Sequence, residues 1–386
     1  MSGHPRDGAD PAGDEGDVPG DERDDERSVA GAVVVWSAEA PRLLALRAPR
    51  AGLVLGRENL AHTGDDRLSR QHARIRWHGT RFEVTDLGSR NGTFVGGSLI
   101  TDGEVTALPP VVVRTGRTIS VLVPDVRPYE HATVAVDHAA VVGPTLRPLW
   151  DEIGRAALTG ASLLVTGEDG VGKGMAARMF HRASGATGEL IAIGGDGDAR
   201  ALERHLAAAA GGTLYVGEVA ALAPAVQARL LRVLEPEAVG RARGRRPAPD
   251  VRVVAASQRE LRAEVAAGRL DGALLARLAR LELHLPPLRD RLEDIPWLVA
   301  EAVREARLPP HPSLVEACLL RPWPGNVREL VTEVGRAARA ARAAARKAVR
   351  LEDLDGSAGV VSGEAATIGP GALRARATLP PDPERG

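Results

Sequence analysis

The sequence predicts a multidomain chain in which a β-sandwich is followed by an α/β core and then a helical region. Three observations predict it. From Ala32 to about Pro124, apolar runs of strand length alternate with turn residues, and no convincing helical period interrupts them. After a Pro-bearing connection near 124–140, an apolar run ends in a Gly-rich loop and opens a helical stretch, and strand-like and helical runs then alternate. From about Ile295 to Asp355 the pattern is helical, broken by Pro309, Pro310, Pro312, Pro322 and Pro324. The 386 residues, 44% of them apolar, suffice for two or three cores, which excludes a mostly disordered chain.

In chain order, segment 1–30 carries ten acidic residues against three arginines and reads as a disordered acidic tail. The sandwich spans 31–124, with strands expected at Val33–Trp36, Leu43–Leu46, Leu53–Leu55, Ala73–Trp77, Phe82–Val84, Thr93–Val95 and Ile119–Val123. Residues 125–140 read as a linker, 141–299 as the α/β core, 300–356 as the helical domain and 357–386 as a flexible tail. The lone cysteine, Cys318, excludes an intramolecular disulfide and a Cys-based zinc site, and no metal-ligand cluster is expected. No run approaches the roughly 18–20 apolar residues of a membrane span, and no signal peptide opens the chain, so a cytoplasmic protein without membrane attachment is expected. Basic charge is almost all arginine, 48 residues against two lysines, Lys173 and Lys347.

Inside the sandwich stand Gly56-Arg57, then Ser69-Arg70-Gln71-His72, then Asp86-Leu-Gly-Ser89-Arg90-Asn91-Gly92-Thr93. Asn-Gly alone is an ordinary hairpin turn. Together, in this order and spacing, the three elements resemble the forkhead-associated (FHA) domain over about 90 residues. A dianionic phosphate needs cations, directional donors and rigid loops. The resemblance implies that Arg57 and Arg70 contact the phosphate, Ser69 donates its hydroxyl, Asn91 holds the peptide backbone and Arg90 faces the peptide, while His72 braces the loop. The implied partner is a Thr-phosphorylated protein downstream of a Ser/Thr kinase.

Gly167-Glu-Asp-Gly170-Val-Gly172-Lys173-Gly174 fits a phosphate-cradling loop: it follows an apolar strand, opens a helix at about Met175–Ala183, and contains one of the two lysines. Glycines let backbone N–H groups converge on phosphate oxygens, and the lysine adds a point charge. Further strands are expected at Thr213–Val216 and Val251–Ala255. Gly211-Gly-Thr-Leu-Tyr-Val-Gly-Glu218, Gln227 to Leu234, Val251 to Ser257, Leu285-Pro-Pro-Leu-Arg289, Asp294-Ile-Pro296 and Arg321-Pro-Trp-Pro-Gly-Asn-Val-Arg328 complete the pattern. Together they resemble the AAA+ domain of sigma-54-dependent activators, from about Val141 to Gly356. That implies ATP as cofactor with Mg²⁺ as its companion, a helical lid whose Arg328 senses the phosphates, Glu218 as the water-activating carboxylate, and Arg277 as an arginine acting on a neighbouring subunit. It also implies a homo- or hetero-oligomer. The sequence departs from the pattern at Gly174, where a Mg²⁺-meeting hydroxyl is usual, at Gly217, where a carboxylate is usual, and at Asp271, where another arginine is usual. The sigma-54-contacting Gly-Ala-Phe-Thr-Gly-Ala motif is absent, and 185–210 reads as a short connection.

A helix over Glu333–Arg350 carries Arg336, Arg339, Arg342, Arg346, Lys347 and Arg350, which reads as a solvated lid face rather than a nucleic-acid stripe. Residues 357–386 are too short and too rich in Gly and Pro for a helix-turn-helix, so no sequence-specific DNA binding is expected. The functional expectation is a phosphothreonine-dependent regulator of signalling or transcription with a degenerate sigma-54-type module that binds ATP and hydrolyses it weakly or not at all. A pseudo-ATPase scaffold is the first alternative and an active sigma-54-dependent activator the second.

Overall fold

The computed structural model describes residues 29–101, 103–137, 140–195, 198–235 and 250–360. The expected acidic tail lies outside them except for its last two residues, as does the C-terminal segment after 360.

Ten strands build the N-terminal sandwich. β1 (Gly31–Ser37), β2 (Ala40–Arg47), β6 (Thr93–Val95), β7 (Ser98–Leu99), β9 (Val111–Thr115) and β10 (Thr118–Val123) form one antiparallel sheet, in the order β2-β1-β10-β9-β6-β7. β3 (Leu53–Leu55), β4 (Ala73–Trp77), β5 (Phe82–Asp86) and β8 (Glu104–Ala107) form the other, in the order β3-β4-β5-β8. All seven expected runs are strands, and β7, β8 and β9 are additional. A one-turn helix, α1 (Arg57–Leu60), does interrupt the sandwich. The extended backbone at Gly56 lies so close to the Arg70 carbonyl that no Cβ fits there, and the turn that follows sinks Leu60 into the core. β1 is buried along its whole length because both of its faces are covered. Ala32 and Val34 pack toward Leu55, Ile75 and Phe82 of the second sheet, whereas Val33 and Val35 join the helices of the lid.

The α/β core is a parallel sheet of β13 (Leu163–Thr166), β14 (Leu190–Ile193), β15 (Thr213–Val216), β16 (Arg252–Ser257) and β17 (Glu282–His284), in the order β14-β15-β16-β13-β17. Around it lie α2 (Arg147–Thr159), α3 (Lys173–Ala183), α4 (Ala199–Ala208), α5 (Pro224–Leu234), α6 (Leu261–Ala266) and α7 (Gly272–Leu278). Stretch 185–210 is therefore more than a connection. It holds β14 and α4, and α4 forms because Asp198 caps it by accepting the Ala201 N–H at 2.6 Å while Leu202 and Leu206 are buried. The expected linker likewise ends in a hairpin of β11 (Ala135–Asp137) with β12 (Ala140–Val142).

The lid consists of α8 (Ile295–Val303), α9 (Pro312–Leu320) and α10 (Asn326–Ala343). It begins at Ile295 rather than 300, and its last helix stops at Ala343 rather than Arg350. Ala345 takes φ +51°, the chain turns, and Val349 bridges to Pro310, so Arg346, Lys347 and Arg350 leave the expected helical stripe. Trp323, fully buried at φ +48°, donates its indole N–H to the Cys318 carbonyl at 2.7 Å and is lid core.

Sandwich and lid share one hydrophobic core, with Trp36, Val121 and Val126 packed among Leu298, Val299, Leu314 and Leu319. Across the same junction Arg114 Nε donates to Glu316 Oε2 at 2.6 Å, and its guanidinium lies 3.7 Å over the Phe94 ring. Burial pushes the Glu316 carboxyl above its usual range while Arg114 pulls it back. Glu316→Ala strands a mostly buried cation and is expected to cost about 2–4 kcal/mol in urea denaturation, whereas the double change to leucine at 114 and 316 comes out closer to wild type.

Candidate functional site

Three segments converge at one end of the sandwich. Arg57 begins α1, Ser69 and Arg70 lie on the loop before β4, and Arg90 and Asn91 on the loop before β6. The loops are fastened to one another. Arg57 N–H donates to the Ser69 carbonyl at 3.0 Å and Arg90 N–H to Ser69 Oγ at 3.0 Å, which leaves the Ser69 hydroxyl hydrogen to donate elsewhere. His72, fully buried, accepts the Ser69 N–H at Nδ1 (3.1 Å) and faces the Gly92 carbonyl with Nε2 (3.1 Å), so the brace protonates Nε2. Asp86 collects the Gly88 and Ser89 N–H groups and the Thr93 hydroxyl. Burial opposes its ionisation, but the bonds from Thr93 and Ser89 prevail and hold its carboxyl below the usual range. Arg57, Arg70 and Arg90 are exposed and have no ion pair among the described residues. The Asn91 amide donates to the Arg67 carbonyl at 2.7 Å, tying the two loops.

The phosphate loop lies at the C-terminal edge of β13, where parallel α/β sheets place their ligands. Gly167, Gly170 and Gly172 have φ of +141°, +69° and +118°, a backbone path that side chains rarely adopt. Lys173 Nζ donates to the carbonyls of Gly167 and Glu168, both at 2.8 Å. Burial lowers the pKa of this ammonium, with Asp169 and Glu218 pulling it back. Arg328 NH1 pairs with Asp169 at 2.7 Å, and Arg289 forks onto Glu168 at 2.6 and 2.9 Å. Glu218, after β15, accepts the Ser257 hydroxyl at 2.7 Å and the Gln258 N–H at 3.1 Å. A Cβ at Gly217 would meet nothing nearer than 3.6 Å, and one at Gly174 nothing nearer than 4.0 Å, so neither glycine is sterically required. Position 174 offers no hydroxyl and position 217 no carboxylate, the two protein groups that the sigma-54-type pattern usually turns toward Mg²⁺.

Lys173, Glu218 and Arg328 thus come together, but Arg277 does not join them. Its carbonyl accepts the Ser162 hydroxyl at 2.6 Å, at the start of β13 and the opposite edge of the sheet from the phosphate loop. Asp271 caps α7 by accepting the N–H groups of Ala273 and Leu274.

Sequence reasoning missed the residue that joins these parts. Asn326, fully buried at φ +53°, accepts the Leu288 N–H at 2.8 Å and donates to Glu168 Oε2 at 3.0 Å and the Asp169 carbonyl at 2.9 Å. Glu168 and Asp169 were not singled out either, although two acidic residues inside a phosphate cradle are a visible signal, and Arg289 entered only as the end of the Leu285–Arg289 motif. Asn326→Ala leaves a buried N–H and a carbonyl unpaired and is expected to cost about 2–4 kcal/mol, read from thermal or urea unfolding.

Comparison with known proteins follows this division. The family model described as FHA domain matches residues 47–121, and the one described as Sigma-54 interaction domain matches 143–288. The anaerobic nitric oxide reductase transcription regulator NorR of Vibrio vulnificus is 38% identical over 232 residues, 51% of this chain and 44% of that protein. The hydrogenase transcriptional regulatory protein HoxA of Bradyrhizobium diazoefficiens is 35% identical over 259 residues, 59% of this chain and 51% of that protein. The crystal structure of NtrX from Brucella abortus in complex with ADP superposes with a TM-score of 0.50 at 27% identity, covering 55% of this chain and 54% of that one. The chain spans about half the length of the curated relatives it matches. Residues 47–121 therefore belong to the FHA domain family and 143–288 to the sigma-54 interaction domain family, and the chain is a fusion of the two.

Proposed function

We propose that the chain docks a Thr-phosphorylated protein through Arg57, Ser69, Arg70, Arg90 and Asn91, and that its sigma-54-type module binds ATP but hydrolyses it weakly or not at all, in the service of transcription control. The observation that carries this reading is an intact phosphate-binding set beside an incomplete metal-organising one. The glycine cradle, Lys173 and Arg328 surround one loop, while positions 174 and 217 carry no side chain. The ADP-bound NtrX structure supports the nucleotide-binding part of this reading, and the transcription regulators among the relatives support its part in transcription control. Bound ATP would supply phosphates for the N–H groups of 170–174, Lys173 and Arg328. Arg277, whose carbonyl bonds Ser162 at the start of β13, lies away from the phosphate loop, so a role in hydrolysis would require it to act on a neighbouring subunit in an assembly of like or related subunits.

A scaffold reading has one observation of its own. Asp271 stands where a trans-acting arginine is usual and is committed to capping α7. Nucleotide measurements separate the two. The proposal expects ATP binding that Lys173→Ala weakens at least about tenfold and that Asp169→Ala strengthens by up to about fivefold, since freeing Arg328 from an exposed pair is worth up to about 1 kcal/mol. It expects ATP turnover near that of Lys173→Ala, rising in the Gly174→Ser, Gly217→Asp double variant. Wild-type turnover far above that blank would instead favour an active activator, and no ATP binding would favour the scaffold.

Phosphopeptide binding is tested by fluorescence anisotropy with Thr-phosphorylated peptides. Arg57→Ala and Ser69→Ala each remove a charge-assisted bond to phosphate and are expected to weaken capture roughly 10- to 100-fold. Unchanged capture in both would sink the docking reading.

A further inference from the structure

The FHA loops and the lid meet in a basic surface that neither domain has alone. Asp65, nearly buried, ties the loop carrying Ser69 to the β9–β10 turn by accepting the N–H groups of Arg67 (2.9 Å) and Arg117 (2.7 Å) and the Thr118 hydroxyl (2.8 Å). Gly116, at φ +62°, packs against the Arg67 backbone so closely that a Cβ would lie 2.9 Å from its carbonyl carbon. The strand leading into this turn carries Arg114, whose ion pair with Glu316 fixes α9 of the lid alongside. At the start of α9, His311 donates its N–H to the Val349 carbonyl at 2.8 Å, which places Arg350 at the same corner. Burial lowers the His311 pKa, and the positive charges of Arg350, Arg114, Arg117 and Arg67 act in the same direction, so all four charges lie within electrostatic reach of this corner. Arg114 is satisfied by Glu316, and among the described residues the Arg117 guanidinium has only a long contact, 3.7 Å, with Asp66. Arg67 and Arg350 are exposed and have no ion pair among the described residues. Arg67 is also the residue whose carbonyl anchors Asn91.

We propose that the lid extends the phosphopeptide-reading face: Arg67, Arg117 and Arg350 receive a second anionic group, a phosphate or acidic side chains, carried by the same peptide whose phosphothreonine sits at Arg57, Ser69 and Arg70. The inference rests on the docking reading above and adds a ligand class to it, a peptide with two separated negative centres. It also makes a lid residue part of the reader, so the isolated FHA domain reads less of the peptide than the full chain does.

The test uses the full chain and synthetic Ala/Gly peptides in fluorescence anisotropy. One peptide carries a single phosphothreonine. Others add a second phosphothreonine between about three and eight residues away, which at roughly 3.3 Å per residue covers about 10–26 Å. A third set replaces the second phosphate by three aspartates. The second phosphate is expected to tighten binding about tenfold at a favoured spacing, with Arg350→Glu and Arg117→Glu each removing most of that gain and leaving single-phosphate affinity unchanged. An equal gain from aspartates supports the site as a charge reader, and a smaller one supports it as a phosphate reader. No gain at any spacing, or a gain that survives both variants, overturns this proposal while single-phosphate binding keeps the docking reading intact. If the single-phosphate peptide fails to bind at all, the docking reading fails and this proposal fails with it.

Discussion

The glycine-loop end of the α/β core depends on the buried side chain of Asn326. A carboxamide alone among small side chains offers an acceptor and two donors without charge, and asparagine tolerates the left-handed backbone better than most residues. Asn326 uses both abilities. Its oxygen takes the Leu288 N–H, its nitrogen reaches Glu168 and the Asp169 carbonyl, and its φ of +53° lets α10 begin directly behind the phosphate loop. Arg291 adds a second tie, donating to the Val171 carbonyl at 2.7 Å and to Asp294 at 3.1 Å from a site only 3% exposed. Burial pushes the Asp294 carboxyl upward, and the neighbouring guanidinium restrains it. The path of the phosphate loop is therefore set jointly by the lid and by the 288–294 segment, not by the loop sequence alone. A ligand that reshapes the loop must also act on the lid.

The lid is equally bound to the sandwich. β1 has no solvent face: one side closes the sandwich, and the other enters the core that contains Leu298, Val299 and Leu319. Displacing the sandwich would return those apolar faces to water, at roughly 25 cal/mol for each Å² exposed, and would break the Arg114–Glu316 pair. A phosphopeptide or nucleotide that moved the lid would move the sandwich with it. The lid is thus the physical element through which two distant sites could bias one equilibrium, and coupling of this kind is typically worth about 1–3 kcal/mol.

Much of this was legible in the sequence. The run Val33–Trp36 lacks polar alternation because both of its faces are buried, and it reads as a strand either way. The FHA loops and the glycine cradle were visible because the chemistry they resemble needs particular residue types at fixed spacing. What was not legible depends on tertiary partners. Val111–Thr115 follows two prolines and is a strand only because β10 and β6 flank it. β14 and α4 hide in a Gly- and Ala-rich stretch whose periodicity is weak, and α4 is secured by a single aspartate cap. The last lid helix reads as running to Arg350 because alanine and arginine favour helix throughout, yet the chain turns after Ala343 so that Val349 can reach Pro310. Asn326 was invisible as a hub because its partners lie 38 to 158 residues away.

The charges around the phosphate loop decide what its altered residues cost. Arg328 and Asp169 pair at 70% and 62% side-chain exposure, so their contact is worth at most about 1 kcal/mol in water. Under the proposed reading, a triphosphate would bring several negative charges to the same guanidinium and to Lys173, and would displace a lone carboxylate and two carbonyls at modest cost. The acidic loop would then weaken nucleotide binding without forbidding it. Positions 174 and 217 are different in kind. There glycine leaves no side chain where the family pattern has a hydroxyl and a carboxylate, and Glu218 is held by Ser257 and the Gln258 N–H at the end of β16. No rearrangement of existing charges supplies an oxygen ligand where a glycine stands, although the space for one remains. Under the proposed reading, binding and turnover therefore part company. The self-paired loop is a resistance that ATP can overcome, while the two glycines remove a function that tighter binding cannot restore.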